Sequence, residues 1–175
     1  MKKIIVMILA IIMFANPTTI KAQTAKKTVT ATANIVAAIS LESDRGLNFG
    51  TMSAPTTDVD VTLSTAQIVT ASDATKISLF PSSATTARYN VTGTKDYAYT
   101  ITLPTDNSVS ISNGTSSIKL TDFQALTLSS GSNGTGGTLN SSGQDSFVVG
   151  ATLKVLTALP TGAYSGSYDV LVTYN

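Results

Sequence analysis

The chain has 175 residues, with 11 basic and 10 acidic side chains and a formal net charge of +1. It contains no cysteine and no histidine, which excludes Ser-His-Asp triads, cysteine nucleophiles, disulfides and the usual zinc sites. Glu42 is the only glutamate, and no pattern marks any aspartates as a catalytic pair. We therefore predict that the protein is not an enzyme and has no catalytic, cofactor-binding or metal-binding residues.

The first 22 residues have the pattern of a secretory signal peptide. Lys2 and Lys3 precede an apolar run over residues 4–14, and cleavage is predicted between Ala22 and Gln23. The apolar run is too short for a stable membrane span, and no later segment approaches the required length. We expect export to the periplasm, the cell surface or the medium, with residues 23–175 forming a single domain without a membrane span.

Removal of the signal peptide would leave eight basic and ten acidic side chains. Lys26 and Lys27 are then the only adjacent basic pair, and a solvated surface is the favoured interpretation of that pair. No basic patch remains that could neutralise phosphates. Nucleic acid is therefore not an expected partner.

Apolar and polar residues alternate with a period of two along most of the remaining chain, which indicates β-strands with one buried face. The first alternating stretch, residues 29–41, is longer than an ordinary strand and predicts a bend or bulge. Gly, Pro, Asn, Asp and Ser separate the stretches. About nine strands at this spacing predict an all-β, antiparallel sandwich. The other stretches are 47–49, 59–63, 77–79, 89–103, 109–111, 118–128, 147–155 and 168–174.

Three local motifs have a structural and a functional interpretation, and the structural one is favoured for each. The glycine-rich stretch 131–143 predicts a flexible hairpin tip, because no helix or lysine follows that would make it a phosphate loop. Ser116 and Lys119 have a Ser-x-x-Lys spacing but lie in a strand-rich region. Asp58 and Asp60 would share one strand face and could contact calcium, but a solvated face is the simpler interpretation.

The C-terminal half carries a resemblance to a known family. Its motifs are FG at 49–50, YNVTG at 89–93, YAYTITLP at 97–104, FVVGATLKV at 147–155 and PTGAYSGSYDVLVTYN at 160–175. Together they resemble the exported, uncharacterised bacterial domain of unknown function 4402, over nearly all of the chain after the signal peptide. The ending is also similar to chaperone-usher pilins and spore coat protein U domains, which carry a penultimate tyrosine and a glycine fourteen positions from the end. Tyr174 and Gly162 match those positions.

The pilin resemblance implies an immunoglobulin-like, pilin-like sandwich that assembles by strand exchange, in which one subunit inserts an N-terminal strand into its neighbour. The chain would then be a structural subunit of a surface fibre or coat. Its partners would be itself or related subunits and a periplasmic chaperone. The same N-terminal stretch could equally be the domain's own first strand. The candidate donor residues are Val29, Ala31, Ala33 and Ile35, and the candidate acceptor edge comprises Gly162, Tyr168, Val170, Val172 and Tyr174.

A second hypothesis is a self-contained exported binding module or adhesin for a carbohydrate or protein ligand. Exposed Tyr97, Tyr164 or Tyr168 would supply the contact surface. The absence of tryptophan weakens the carbohydrate version, because sugar rings often stack on large aromatic side chains. Packing in a core or at a sheet edge is the alternative interpretation of these tyrosines.

Overall fold

The structure is a computed structural model that describes Lys21 and residues 23–175. Ala22 and residues 1–20, and with them the predicted signal peptide, lie outside the described residues. The chain divides into the units Met1–Asn34 and Ile35–Asn175. The described residues of the first unit are exposed and form no helix or strand, whereas every strand of the described chain belongs to the second unit.

Twelve strands and one turn of 3-10 helix at Pro81–Ser83 make up the secondary structure of the described residues. All strand pairs are antiparallel, which confirms the predicted all-β sandwich class. The strands are β1 Ser40–Arg45, β2 Thr51–Met52, β3 Val59–Leu63, β4 Val69–Ala71, β5 Leu79–Phe80, β6 Ala87–Thr92, β7 Ala98–Thr102, β8 Val109–Ser112, β9 Ser117–Thr127, β10 Gly136–Thr138, β11 Gln144–Val155 and β12 Leu171–Tyr174.

The long strand β11 organises a seven-stranded sheet. Residues 147–154 of β11 pair with β9 along one edge. Along the other edge, β6 pairs with residues 144–149 and β3 with residues 151–155, so β6 and β3 lie end to end. Gly150 lies where they meet, and a Cβ there would collide with the carbonyl oxygen of Leu63. β1 extends the sheet beyond β6, β4 beyond β3, and β8 beyond β9.

A second sheet has the order β10-β7-β12. It packs on the β6 half of the large sheet and encloses a buried group that we call the second cluster. The period-two pattern accounts for this packing, because alternate side chains of one strand point into the same interior. The buried members of the second cluster are Ala87, Val91, Tyr99, Ile101, Ala125, Leu139, Phe147, Val149 and Val172.

The other half of the large sheet carries the first cluster. Its buried side chains come mainly from β3, β8, β9 and β11, and none comes from the second sheet. The short pair β2–β5 and irregular chain cover it in part. Its buried members are Phe49, Val59, Val61, Leu63, Ile77, Val109, Ile118, Leu120, Ala151, Leu153 and Val155.

Three expectations about individual elements are wrong. The stretch 29–41 is not one long strand. In the described chain only its last two residues, Ser40 and Leu41, belong to a strand, β1, which pairs with β6. The glycine-rich stretch 131–143 is more than a hairpin tip, since β10 pairs with β7 and Leu139 is fully buried. The last strand begins at Leu171 instead of residue 168, since only the four residues of β12 pair with β7.

Candidate assembly site

The N-terminal segment 23–36, called the arm from here on, is exposed along its whole length. The side chains of Val29 and Ile35 are 82% and 93% exposed, which is unusual for branched apolar residues that alternate with polar ones. From Thr28 to Val36 the arm carries no charged side chain. The arm therefore presents an uncharged apolar face that is not covered in the described chain.

The chain just after the arm is fixed by the penultimate residue of the sequence. The Ala37 amide donates a hydrogen bond of 2.8 Å to Thr94 Oγ1, and the Tyr174 hydroxyl donates one of 3.1 Å to the Ala37 carbonyl. The Thr94 amide in turn donates to the Tyr174 hydroxyl at 2.7 Å. Gly93 makes room for this arrangement, because a Cβ at that position would collide with the Tyr174 hydroxyl. Tyr174 thus ties Ala37 to the turn after β6.

A groove of about 950 Å³ lies over the first cluster. Segment 46–55 forms one wall and segment 159–168 forms the other. None of the residues lining the groove carries a formal charge. The groove is therefore an apolar-floored channel at the place where the second sheet does not reach. Its floor is formed by Val109, Ile111, Ile118, Leu120, Leu153 and Val155.

Segment 46–55 is paired along one edge. Asn48 forms a two-way backbone bridge with Thr85, with both N···O distances at 2.8 Å, and β2 continues the pairing on β5. Gly50 adopts a φ of +79°, which L-residues other than glycine seldom adopt, and it approaches the Phe80 carbonyl closely. The wall is thus held by backbone pairing along this edge, and its partner Thr85 also lines the groove.

Segment 159–168 is attached to β8 at a single point, the backbone bridge between Ser165 and Ser112. Gly166 packs against β8 so closely that a Cβ would lie 2.6 Å from the Ser110 carbonyl oxygen. The Tyr164 hydroxyl donates to the Pro160 carbonyl at 2.8 Å and stabilises the turn in this wall. One backbone bridge holds this wall, compared with a bridge and the short β2–β5 pair for segment 46–55.

Tyr168 closes the groove on the side of the second sheet. Its ring packs against Phe123 with a centroid distance of 5.2 Å. Burial, and secondarily the Tyr89 side chain, raises the pKa of Tyr168. Tyr89 is close enough to affect that pKa. The Tyr168 hydroxyl nevertheless forms no hydrogen bond within the described chain. A buried hydroxyl group without a hydrogen bond in the described chain therefore lies at this end of the groove.

The structure separates the candidate acceptor residues into two groups. Gly162 and Tyr168 line the groove. Val170, Val172 and Tyr174 pack against the second cluster. The candidate donor residues Val29, Ala31, Ala33 and Ile35 all lie in the exposed arm and belong to no strand of the described chain.

The tyrosines of the binding-module hypothesis are half-buried instead of exposed. Tyr97 packs edge-on against Tyr174 at 5.6 Å, Tyr164 is held by Pro160, and Tyr168 packs on Phe123. No sequence pattern identified residues 46–55 as a wall, because the alternation at 47–49 is typical of an ordinary short strand.

The polar motifs are engaged in structural contacts. Asp58 accepts a hydrogen bond from the Thr157 amide, and Asp60 pairs with Lys154 at 2.6 Å. That pair raises the pKa of Lys154, chiefly through the hydrogen bond. No cluster of three or more acidic, His or Cys side chains occurs within the described residues. Nor does any helix in that part of the chain combine the length and hydrophobicity needed to cross a membrane.

Comparison with known proteins gives one match. Neither the curated proteins nor the solved structures contain a match to this chain. Residues 39–174 match the family described as Domain of unknown function (DUF4402). The match begins at residue 39, beyond the arm, and includes every strand of the described chain and both walls of the groove. On this evidence the chain belongs to the DUF4402 family.

Proposed function

We propose that the protein is an exported structural subunit of a surface fibre or coat that assembles by strand exchange between copies. The observation that carries this proposal is the exposed arm that precedes a folded sandwich, with its uncharged, alternating residues 28–36. Isolated apolar strands in water are a liability that proteins cover by pairing or packing. Donation of the arm to a neighbouring subunit would cover its apolar face.

The proposal includes export through the predicted signal peptide and a periplasmic chaperone as a transient partner. A chaperone would protect the apolar surfaces of a subunit until another copy covers them. The pilin-like ending at Gly162 and Tyr174 supports this assembly mode by resemblance.

The first test is the mass of the protein purified after export, measured by size-exclusion chromatography with light scattering. We expect multimers for the natural chain and monomers for a variant lacking residues 23–35. The truncated variant should keep its β-sheet circular dichroism, because β1–β12 lie outside the deletion. A natural chain that is monomeric at all concentrations would refute the proposal.

Point substitutions in the arm provide a sharper test. Ile35→Asp places a charge on the apolar face and should abolish multimers. Thr32→Asp places the same charge on the opposite face of an extended strand and should leave them intact. Equal effects of the two substitutions would contradict insertion of one face of the arm.

The alternative is a self-contained exported binding module. The uncharged groove of about 950 Å³ favours it, because this volume falls in the range of small-ligand sites. A natural chain that is a stable monomer, and that stays folded and monomeric after truncation, would support this alternative.

A further inference from the structure

The groove lies where the sandwich lacks part of its second layer. The second sheet covers the second cluster and supplies no buried residue to the first. Ile111 in the groove floor remains partly exposed although it packs against the first cluster. A further strand laid on this floor would bury apolar surface that now contacts solvent.

The walls leave room for backbone pairing. Segment 46–55 lines the groove and uses one edge for its contacts with Thr85 and β5, which leaves its other edge unpaired in the described chain. An extended chain in the groove would add a strand to that free edge, in the manner of β-strand addition. The single bridge that attaches segment 159–168 at Ser165 would let that wall adjust around the incoming strand.

The arm matches the groove in charge, size and length. Neither the groove lining nor residues 28–36 carry a charged side chain, so insertion would bury no unpaired charge. Ala31 and Ala33 are small, whereas the floor is made of Val, Ile and Leu, and small residues facing large ones allow close packing. Nine uncharged residues exceed the five to six of a typical strand.

We propose that this groove is the acceptor site, and that its occupant is the arm of a second copy of the chain. This inference rests on the proposed function and makes it specific: the arm adds to segment 46–55 over the first cluster. The proposal thus places the acceptor at segment 46–55 and not at the outer edge of β12, which pairs only with β7 in the described chain. Tyr168 and Gly162 belong to the acceptor site as lining residues of the groove.

Cysteine cross-linking of the full exported chain tests the location, and the absence of natural cysteines makes the reading unambiguous. Ala31→Cys and Ala33→Cys variants are each co-expressed with a groove-wall variant, Ala54→Cys or Ser165→Cys. The matched control partner is Thr173→Cys, an exposed position on β12. Disulfide-linked dimers are detected on non-reducing gels, and mass spectrometry of the linked peptides identifies the two positions.

We expect arm-to-groove dimers and none with Thr173→Cys. Dimers only with Thr173→Cys, or multimers without a cross-link to either groove wall, would overturn the groove assignment while leaving strand-exchange assembly in place. A cross-link within single chains of an Ala33→Cys/Ser165→Cys double variant would show that the arm fills its own groove, which also overturns the proposal. Monomers by light scattering with no cross-link would instead refute the proposed function on which it rests.

Discussion

At the scale of single residues, folding changes the ionisation of the buried Tyr99. Its side chain is fully buried, and its hydroxyl donates to Asp145 Oδ2 at 2.9 Å. Burial, followed by the bond to this carboxylate, raises the pKa of Tyr99 above its usual value. The folded protein therefore keeps Tyr99 neutral at a pH where the unfolded chain loses that proton.

This difference predicts a loss of stability in alkaline solution. A group whose pKa is raised by folding contributes full stability below its unfolded pKa of about 10, and the contribution falls as pH rises above it. Tyr99 alone should lower the free energy of unfolding by about 1.4 kcal/mol between roughly pH 9 and pH 11. Urea unfolding across that range measures the slope.

Two phenylalanine variants isolate the Tyr99 contribution. Tyr99→Phe should flatten the alkaline decline by that amount, whereas Tyr164→Phe, which removes a half-buried hydroxyl bonded to Pro160, should retain it. Identical slopes in Tyr99→Phe and the natural chain would show that Tyr99 ionises equally in both states.

At the scale of elements, β10 shows how a glycine-rich stretch becomes a strand. Gly137 pairs with Tyr99 of β7, and a Cβ on Gly137 would collide with the Tyr99 ring. Gly136, the preceding residue of the same strand, has nothing within 4 Å of its Cβ position. One glycine is thus required by packing and its neighbour is not.

This contrast predicts different effects of two neighbouring substitutions. Gly137→Ala should lower the free energy of unfolding by about 1 to 3 kcal/mol, because the ring and β10 must separate. Gly136→Ala should change it by less than about 0.5 kcal/mol. Thermal unfolding measures both, and equal losses would mean that backbone freedom, and not contact with Tyr99, is the reason for glycine at 137.

The same elements show how far the sequence could predict the fold. Strand β3 was predicted at its correct bounds because Val59, Val61 and Leu63 alternate strictly with polar residues. All three are buried, whereas the polar residues between them are only partly buried. β10 was missed because glycine carries no side-chain pattern, and its strand form depends on the distant β7. The apolar alternation of residues 29–41 indicated one long strand, but in the described chain strand structure begins only at Ser40.

The candidate site was less predictable than the strands. Tyr168 and Gly162 were both among the acceptor residues predicted from the sequence, and both line the groove. The opposite wall at 46–55 lies more than a hundred residues away in sequence, and local periodicity contains no information about which distant segments face each other. The gap in the second sheet is likewise a property of the topology.

At the scale of the whole molecule, β11 joins the two clusters into one cooperative unit. Leu153 is buried in the first cluster and Val149 in the second, on the same continuous strand. Because β11 pairs with β9 across both regions, neither cluster can open without disrupting the strand they share. We therefore expect the two clusters to unfold together.

Substitutions in each cluster test this coupling. Leu153→Ala should cost about 2 to 5 kcal/mol of stability, and Val149→Ala somewhat less because fewer carbon atoms are removed. Each should shift a single transition, with tyrosine fluorescence and far-ultraviolet circular dichroism coinciding. Leu171→Ala, at a position 57% exposed, is the surface control. Two separate transitions, each moved by only one variant, would contradict the coupling.

The hydrogen bonds of Tyr174 also bring the beginning and the end of the sandwich together. Ala37 and Tyr174 are 137 positions apart in sequence, yet a hydroxyl-to-carbonyl hydrogen bond of 3.1 Å joins them. Between these two residues the polypeptide therefore forms a nearly closed ring, whose ends meet beside the turn after β6. Neighbouring ends of this kind are the geometry that tolerates circular permutation. New termini at the exposed turn around Gly114, with the old ends linked, would retain every strand pair of the sandwich.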